Sequence, residues 1–545
     1  MSRRFLPALL APSLTLALAW PTAAAAAPSP TLHDDNPNGK SGDWYTGAIP
    51  PNASDDKPVL LFVQGLHSDY TTWTADDDYY TAAYNAGYRT AFVQLPDADG
   101  AGGSMWTNGS VLADVIKKAA DYYHVPQINV IAHSKGGIDT QAALVHYGAH
   151  PYVNVVHQLG TPNKGSELAD LAYSDWTWWL AEILGMRDDA VYSLQTSYMA
   201  QFREQTDSRP EARKAATYMG AATGDDGWFS ATWFAHAVLP GSDDGAVSLD
   251  SAFGLPYGIR AFTDNGSETL SHSMLRYASK TWEQVRPKLK LASAGWSEAG
   301  AAEAEWADAG LAEEADQAVR VPARSGDEAA GAIYRGGEVD GVQTERIPLE
   351  GGIENVLIDI MVADKATAVE LISPSGEVYK PEEGEAVPDE LGIFGKAVHR
   401  VFSLDKPEKG EWTARISGER DAYFLLAAVQ GGVDLKWRAD KQVFKKNDTA
   451  SLQLATRSGK AKQTSLQQAA LRRSGSGKGT ALQQLRVHAA SDSEMNVRFQ
   501  VPSEPGVYNL SFEVSGVDES GEAFTRSVNY NFAVTDEDGE IPRPE

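Results

Sequence analysis

The segment Ile128-Asn-Val-Ile-Ala-His-Ser-Lys-Gly-Gly137 puts a hydroxyl where chemistry can use it. An apolar run ends in Ser134, Ala132 and Gly136 stand two residues to either side, and the sequence then turns helical. This pattern predicts a nucleophile elbow, a strand-to-helix turn that lifts a serine above a parallel sheet. So tight a turn leaves no room for large side chains beside the serine, which accounts for Ala132 and Gly136.

A serine attacks a carbonyl only when a base takes its proton, and the base needs a carboxylate to fix its tautomer. On this scaffold the chain order is Ser, then Asp or Glu, then His. Ser242-Asp-Asp-Gly-Ala-Val247 supplies the acid. Asp244 directly precedes Gly245, as suits a loop at a strand end; Asp243 is the neighbouring alternative, and a plain turn is the bland one. His272, in Thr269-Leu-Ser-His-Ser-Met274, is the histidine left after the acid and before a long acidic tract. It follows a strand expected near Ile259 to Phe262 and precedes a helix expected over Leu275 to Val285. His236 precedes the acid and breaks the order. His133 adjoins the serine, but neighbours in an elbow point apart, so it is expected to pack beneath the turn. Acyl transfer also needs donors for the oxyanion. The backbone N–H of Lys135 is one; the other is that of Leu66, in Phe62-Val-Gln-Gly-Leu-His-Ser68, where Gly65 lets the chain turn.

A sheet must carry these residues. Val59 to Val63, Thr90 to Leu95, Ile128 to Ala132 and Val153 to Leu159 read as buried parallel strands. Tyr79 to Ala86, Val111 to Tyr123 and Ile138 to Tyr147 have helical spacing between them. The alternation predicts an α/β fold with a doubly wound, mostly parallel sheet that binds ligands outside the strands' carboxyl ends. Between the fourth strand and the acid, Trp176, Trp178, Trp179, Leu180, Ile183 and Leu184 form an apolar cluster. It would present an apolar surface to a lipid or polymer, or else is a helix packed on the core.

The residues now resemble a known group, the secreted bacterial lipases and esterases of the α/β-hydrolase superfamily. Ala132-His-Ser-Lys-Gly-Gly137 is similar to the Ala-x-Ser-x-Gly elbow of Bacillus-type lipases, and Leu159-Gly-Thr-Pro-Asn-Lys-Gly-Ser166 to their Gly-Thr-Pro-His-x-Gly-Ser segment. Ser242 to Val247 resembles their Asn-Asp-Gly-x-Val acid motif, which favours Asp244 over Asp243. The resemblance covers roughly Gly42 to Lys290, and it implies that the aromatic cluster Trp176 to Leu184 is a cap or lid over an acyl pocket. It departs from the pattern at Gln64-Gly65, where His-Gly is usual, and at Asn163, where histidine is common.

The ends of the chain differ in texture. Arg3 and Arg4, an apolar run from Phe5 to Trp20 and the alanines 23–27 read as a signal peptide (1–27), so the protein is expected to be secreted and extracellular. Next come an expected α/β-hydrolase domain (28–290), an acidic helical linker (291–332) and two all-β sandwich-like modules (333–432 and 433–545, the second Ig-like). The polar stretch Ser465 to Thr480 is expected to separate blocks of strands. There is no cysteine among the 545 residues, which excludes disulfides and thiol catalysis. The net charge of −27 becomes two units more negative when Arg3 and Arg4 leave with the signal; it argues against nucleic acid or anionic membranes as partners. No stretch beyond the signal could span a bilayer. Asp76-Asp-Asp78 suits a structural calcium by its oxygens but shows no ligand spacing, so no cofactor is required and the metal is left open.

Together these features predict a serine carboxylic-ester hydrolase acting through an acyl-enzyme. The alternatives are an extracellular polyester depolymerase, with the β modules gripping polymer or a surface, and a non-catalytic binding protein on a hydrolase scaffold.

Overall fold

The computed structural model describes residues 26–545 except 76, 101, 225–230, 292–327, 383–390, 392, 457–460, 476–479, 482–485, 492–493 and 543–545. Residues 1–25 of the expected signal peptide and the helix expected over Ser297 to Val319 lie outside the described residues.

Eight strands form the first sheet: β1 (Thr31–His33), β2 (Trp44–Thr46), β3 (Leu60–Val63), β4 (Thr90–Val93), β5 (Ile128–His133), β6 (Val153–Leu159), β7 (Ala216–Ala221) and β8 (Ile259–Thr263). Their order is β1-β2-β4-β3-β5-β6-β7-β8. β1 and β2 pair antiparallel, as do β2 and β4, and the remaining pairings are parallel. Successive side chains leave opposite faces of a strand, so β3 feeds two cores. Leu61 and Val63 pack with Leu112, Val115 and Ile116 of the helix Met105–Tyr122. Leu60 and Phe62 pack with Tyr79, Tyr80 and Ala83 of the helix Tyr79–Asn85 and with Trp282 and Val285 of the helix Ala278–Val285. Covering both faces is what makes these strands read as unbroken apolar runs.

From Glu328 onward every regular element among the described residues is a strand. The boundaries differ from expectation at three places. Glu328–Ala330, inside the stretch expected as linker, is a strand that pairs with Leu435–Trp437. The segments expected as separate strands at Trp412 to Ile416 and Tyr423 to Val429 are one strand, Gly410–Gly431, paired with Ala332–Leu349. Both long strands change register or backbone near their middle, at Val339/Gly341 and at Arg420, whose φ is 52°. The early half of Gly410–Gly431 pairs with Ala368–Ile372 and the late half with Ile353–Val362. A single sheet thereby encloses a core of Ile347, Ile358, Trp412, Ile416 and Leu425. Finally, the polar stretch expected from Ser465 contains most of a strand, Ala461–Arg473, which pairs with Gly506–Asp518. It belongs to one of two five-stranded sheets that sandwich Leu452, Val497, Phe512 and Phe532.

The β modules are packed on the domain of the first sheet. One continuous core joins Leu66, Trp176, Leu180 and Phe234 to Tyr334, Phe394, Phe424, Val507 and Ala533. Trp176 meets Tyr334 edge-on at 5.2 Å, and Phe234 meets Phe394 at 5.0 Å. Polar groups register the same seam. Gln195 Oε1 accepts from Ser474 Oγ (2.7 Å), Asn531 Nδ2 (3.1 Å) and Asn509 Nδ2 (3.2 Å), and Arg472 pairs with Asp175 at 2.6 Å. Buried donors and acceptors that satisfy one another in this way fix one docking geometry, because leaving any of them unpaired is costly.

Beside this seam Asp170 accepts from Thr196 N (2.9 Å) and Thr196 Oγ1 (2.7 Å). Burial pushes its carboxyl up to about 7, against those two bonds. The folded state therefore holds the proton more tightly than the unfolded chain. The resulting stabilisation is full below about pH 4 and is lost as the pH rises through about 7. Urea unfolding of Asp170→Asn is expected to show a fall in stability between pH 5 and pH 8 that is smaller than the native protein's by about 2 kcal/mol. Equal slopes would contradict the assignment.

Candidate active site

β5 runs into the helix Gly136–His146 through Ser134, whose φ of 53° lies in the left-handed region that residues with a Cβ rarely occupy. The turn is held by Ser134 N donating to Leu159 O (2.8 Å) and Gly137 N donating to Ser134 O (3.1 Å). Its neighbours must be small. A Cβ on Gly136 would come 2.3 Å from Gln64 O, and one on Gly137 would come 2.1 Å from Thr161 Oγ1. Ser134 is 2% exposed, and its buried Oγ has no hydrogen-bond partner among the described residues.

Asp244 and His272, which follow β7 and β8, meet in the buried interior: His272 Nδ1 lies 2.8 Å from Asp244 Oδ2. The backbone repeats the link, with His272 N donating to Asp244 O at 2.9 Å. The other carboxylate oxygen, Oδ1, accepts from Val247 N (2.8 Å) and Ala246 N (3.0 Å). Asp244 is thus committed on both oxygens. Asp243, the sequence alternative, turns away to His236 Nδ1 at 2.6 Å and accepts from Gly245 N.

His133 does more than fill space beneath the turn. Its Nε2 lies 3.0 Å from His272 O, and its ring leans on the His272 ring with centroids 4.7 Å apart. Burial, followed by the neighbouring His272 and Arg276, pushes its pKa well below the usual histidine range. A neutral ring carrying its proton on Nε2 can donate to the His272 carbonyl, so His133 ties the elbow to the loop of the base.

The second predicted donor loop lies against the elbow. A Cβ on Gly65 would come 2.9 Å from Ser134 Cβ and 3.2 Å from His133 Nδ1, so glycine is required by close approach. Gln64, standing where His is usual, donates its amide to Val93 O (2.9 Å) and accepts from Leu95 N (2.8 Å), pinning the loop to the end of β4. Among the described residues neither Leu66 N nor Lys135 N donates to another group. Asn163, the other departure, is fully bonded: it accepts from Gln141 (2.8 Å) and donates to Gln158 (3.0 Å) and Ala252 O (2.9 Å).

Lys135 carries a second feature, which sequence reading missed. Its side chain is buried, and Nζ lies 3.0 Å from both oxygens of Asp139 and 3.8 Å from Asp97 Oδ2. Burial alone would lower the ammonium pKa; the Asp139 and Asp97 carboxylates outweigh it and raise it. The i,i+4 spacing of Lys135 and Asp139 was the available signal. Nothing in the sequence around Asp97 announces its part.

The aromatic segment lies against the β sheets, with most of its apolar surface covered. Trp176 and Leu180 are buried, Trp178 and Trp179 are half-buried, and Ile183 is exposed. The helix Trp178–Leu184 packs on the strands Ala332–Leu349 and Gly410–Gly431. In the acidic run, Asp77 accepts from Ser279 N at 2.9 Å and Asp78 caps the helix at Tyr79. No group of three or more residues suited to holding a metal is found among the described residues.

No protein-family model matches the sequence, and no curated protein matches it. Solved structures do. The Bacillus licheniformis lipase BlEst2 in its propeptide form is 24% identical, with a TM-score of 0.68, over 92% of this chain and 99% of its own. The mature form of that lipase is 36% identical over 46% of this chain and 100% of its own, with a TM-score of 0.42.

The burial of His133 makes a direct prediction. Its ring nitrogens, followed by ¹⁵N NMR, are expected to stay in the neutral Nε2–H form through and below the pH range in which an ordinary histidine takes up its second ring proton. Titration near 6.5 would contradict its place between elbow and base. With its mostly parallel sheet, its elbow at the end of β5 and its Asp–His pair beyond β7 and β8, the chain has the α/β-hydrolase fold, followed by all-β sheets.

Proposed function

We propose that the chain is an exported serine hydrolase of acyl esters that its β modules hold latent. The observation that carries the catalytic part is the buried Asp244–His272 pair, tied to the elbow through His133, together with a strained Ser134 whose buried Oγ has no hydrogen-bond partner among the described residues. With His272 Nδ1–H donating to Asp244, Nε2 is the atom that takes the proton from Ser134 Oγ. Oγ attacks the ester carbonyl carbon, and the oxyanion receives the N–H groups of Leu66 and Lys135 at the N-terminus of the helix Gly136–His146, where partial positive charge gathers. His272 returns the proton to the leaving alcohol, and water then repeats the sequence on the acyl-enzyme. The surroundings suit an acyl chain: Leu66, Ile138, Leu168 and Phe234 share the core that reaches the cap. Export rests on the basic, apolar and alanine-rich order of the first 27 residues.

Latency rests on the covered cap. A surface that would face lipid is buried against the β modules, and Ser134 is itself buried. The similar lipase was solved in a propeptide form that this chain matches over nearly its full length. The β modules are accordingly read as a pro-region rather than as a polymer-gripping accessory.

Two experiments test the two parts. Ser134→Ala is expected to lower p-nitrophenyl butyrate hydrolysis at least about 1,000-fold while leaving the melting temperature within a few degrees; retained hydrolysis would overturn the mechanism. Gly336 lies so close to the cap that a Cβ would come 1.7 Å from Trp176 O. Gly336→Leu is therefore expected to loosen the seam and raise hydrolysis severalfold, as is proteolytic removal of everything after Leu291. An unchanged rate after removal would overturn latency.

A further inference from the structure

The catalytic steps above leave unused the buried charges beneath the donor loop. Asp97 is 3% exposed and lies in the turn Pro96–Asp99, just beyond β4. Its two oxygens face different ways. Oδ1 accepts from His67 N at 3.2 Å, one residue past the Leu66 donor. Oδ2 accepts from Asn108 Nδ2 at 2.6 Å and lies 3.8 Å from Lys135 Nζ, on the residue that supplies the other donor. Asn108 Nδ2 also reaches Asp139 Oδ2 at 2.9 Å, and Asp139 grips Lys135 Nζ with both oxygens.

From this juxtaposition we propose that Asp97 is a positioning residue for the oxyanion hole, with its carboxylate holding the two backbone donors, Leu66 N–H and Lys135 N–H, at one fixed separation. The proposal rests on the ester-hydrolase reading and deepens it. Three further observations support it. His67 has φ 51°, a left-handed conformation that a residue with a Cβ keeps only where its surroundings hold it, and Asp97 supplies the acceptor for its N–H. The His67 ring is held a second time, with Nε2 2.5 Å from Oδ2 of Asp188, the residue that caps the helix Asp189–Ser193. The chain over the cluster is Gly102-Gly103, where a Cβ would come 2.3 Å from Asp188 Oδ2 or 2.1 Å from Asn108 Oδ1. The backbone has been cleared for these polar groups. A donor pair displaced by a few tenths of an ångström still binds substrate but stabilises the tetrahedral oxyanion poorly, because only that state uses both bonds fully.

The test uses the full chain and counts active sites by fluorophosphonate labelling of Ser134. Per labelled site, Asp97→Asn and Lys135→Met are each expected to lower kcat for p-nitrophenyl butyrate about 10- to 100-fold, with KM within about twofold. Affinity for a phenylboronic acid, whose adduct places an oxygen in the hole, is expected to weaken in parallel. A cluster that served stability alone would lower the melting temperature and the number of labelled sites while kcat per site stayed native; that result overturns the proposal. A native chain that neither labels at Ser134 nor hydrolyses ester, both before and after proteolytic removal of everything beyond Leu291, defeats the functional reading instead. Should Lys135→Met fail to fold, the near-isosteric Asp97→Asn carries the test, with Asn108→Leu as its companion.

Discussion

The left-handed turn at Ser134 is the constraint on which the rest of the site depends. A residue with a Cβ in that conformation is strained and stays there only because its surroundings over-determine it. Here the surroundings are Leu159 O on one side, the helix Gly136–His146 on the other, and glycines wherever another chain segment comes close. The turn places the hydroxyl at the end of β5 and Lys135 at the N-terminus of the helix, and the Gly65 loop lies against Ser134 Cβ. His133, buried and neutral, extends the same constraint to the loop of His272. Ser134, the loop of His272 and the loop of Leu66 are therefore set by one turn and its direct contacts.

A second physical fact governs when such a site could work. The cap helix Trp178–Leu184 and its neighbours are amphipathic, and in this chain their apolar side is shared with the β modules. The seam combines aromatic packing with buried polar registration at Gln195 and Arg472. Such a mixture resembles an interdomain core more than a loose tether, and it sets one docking geometry.

Much of this was legible in the sequence, for identifiable reasons. β3 to β6 are buried on both faces, so their apolar runs are continuous, and the elbow's small residues are forced by sterics. Asp244 and His272 follow from chain order; the motif resemblance favoured Asp244 over Asp243, and the physical distinction came when the carboxylates were seen to turn to different histidines. The β half was less legible. Gly410–Gly431 bends and changes partners midway, so its polar centre looks like a turn between two strands. Ala461–Arg473 carries few apolar residues and reads as a spacer. Asp97 was hidden for another reason: its partners come from Asn108, Lys135 and His67, and such spacings carry no periodic signal. The covered cap was likewise invisible, since an apolar helix facing lipid and one facing a β module have the same composition.

The central claim is that Ser134 carries the acyl group. Mixing the protein with p-nitrophenyl butyrate, quenching in acid within the first turnover and mapping peptides by mass spectrometry tests it most directly. The account predicts a butyryl adduct on the peptide containing Ser134, lost in Ser134→Ala and chased off by water over time. Turnover without such an adduct, or an adduct confined to another residue, would contradict it.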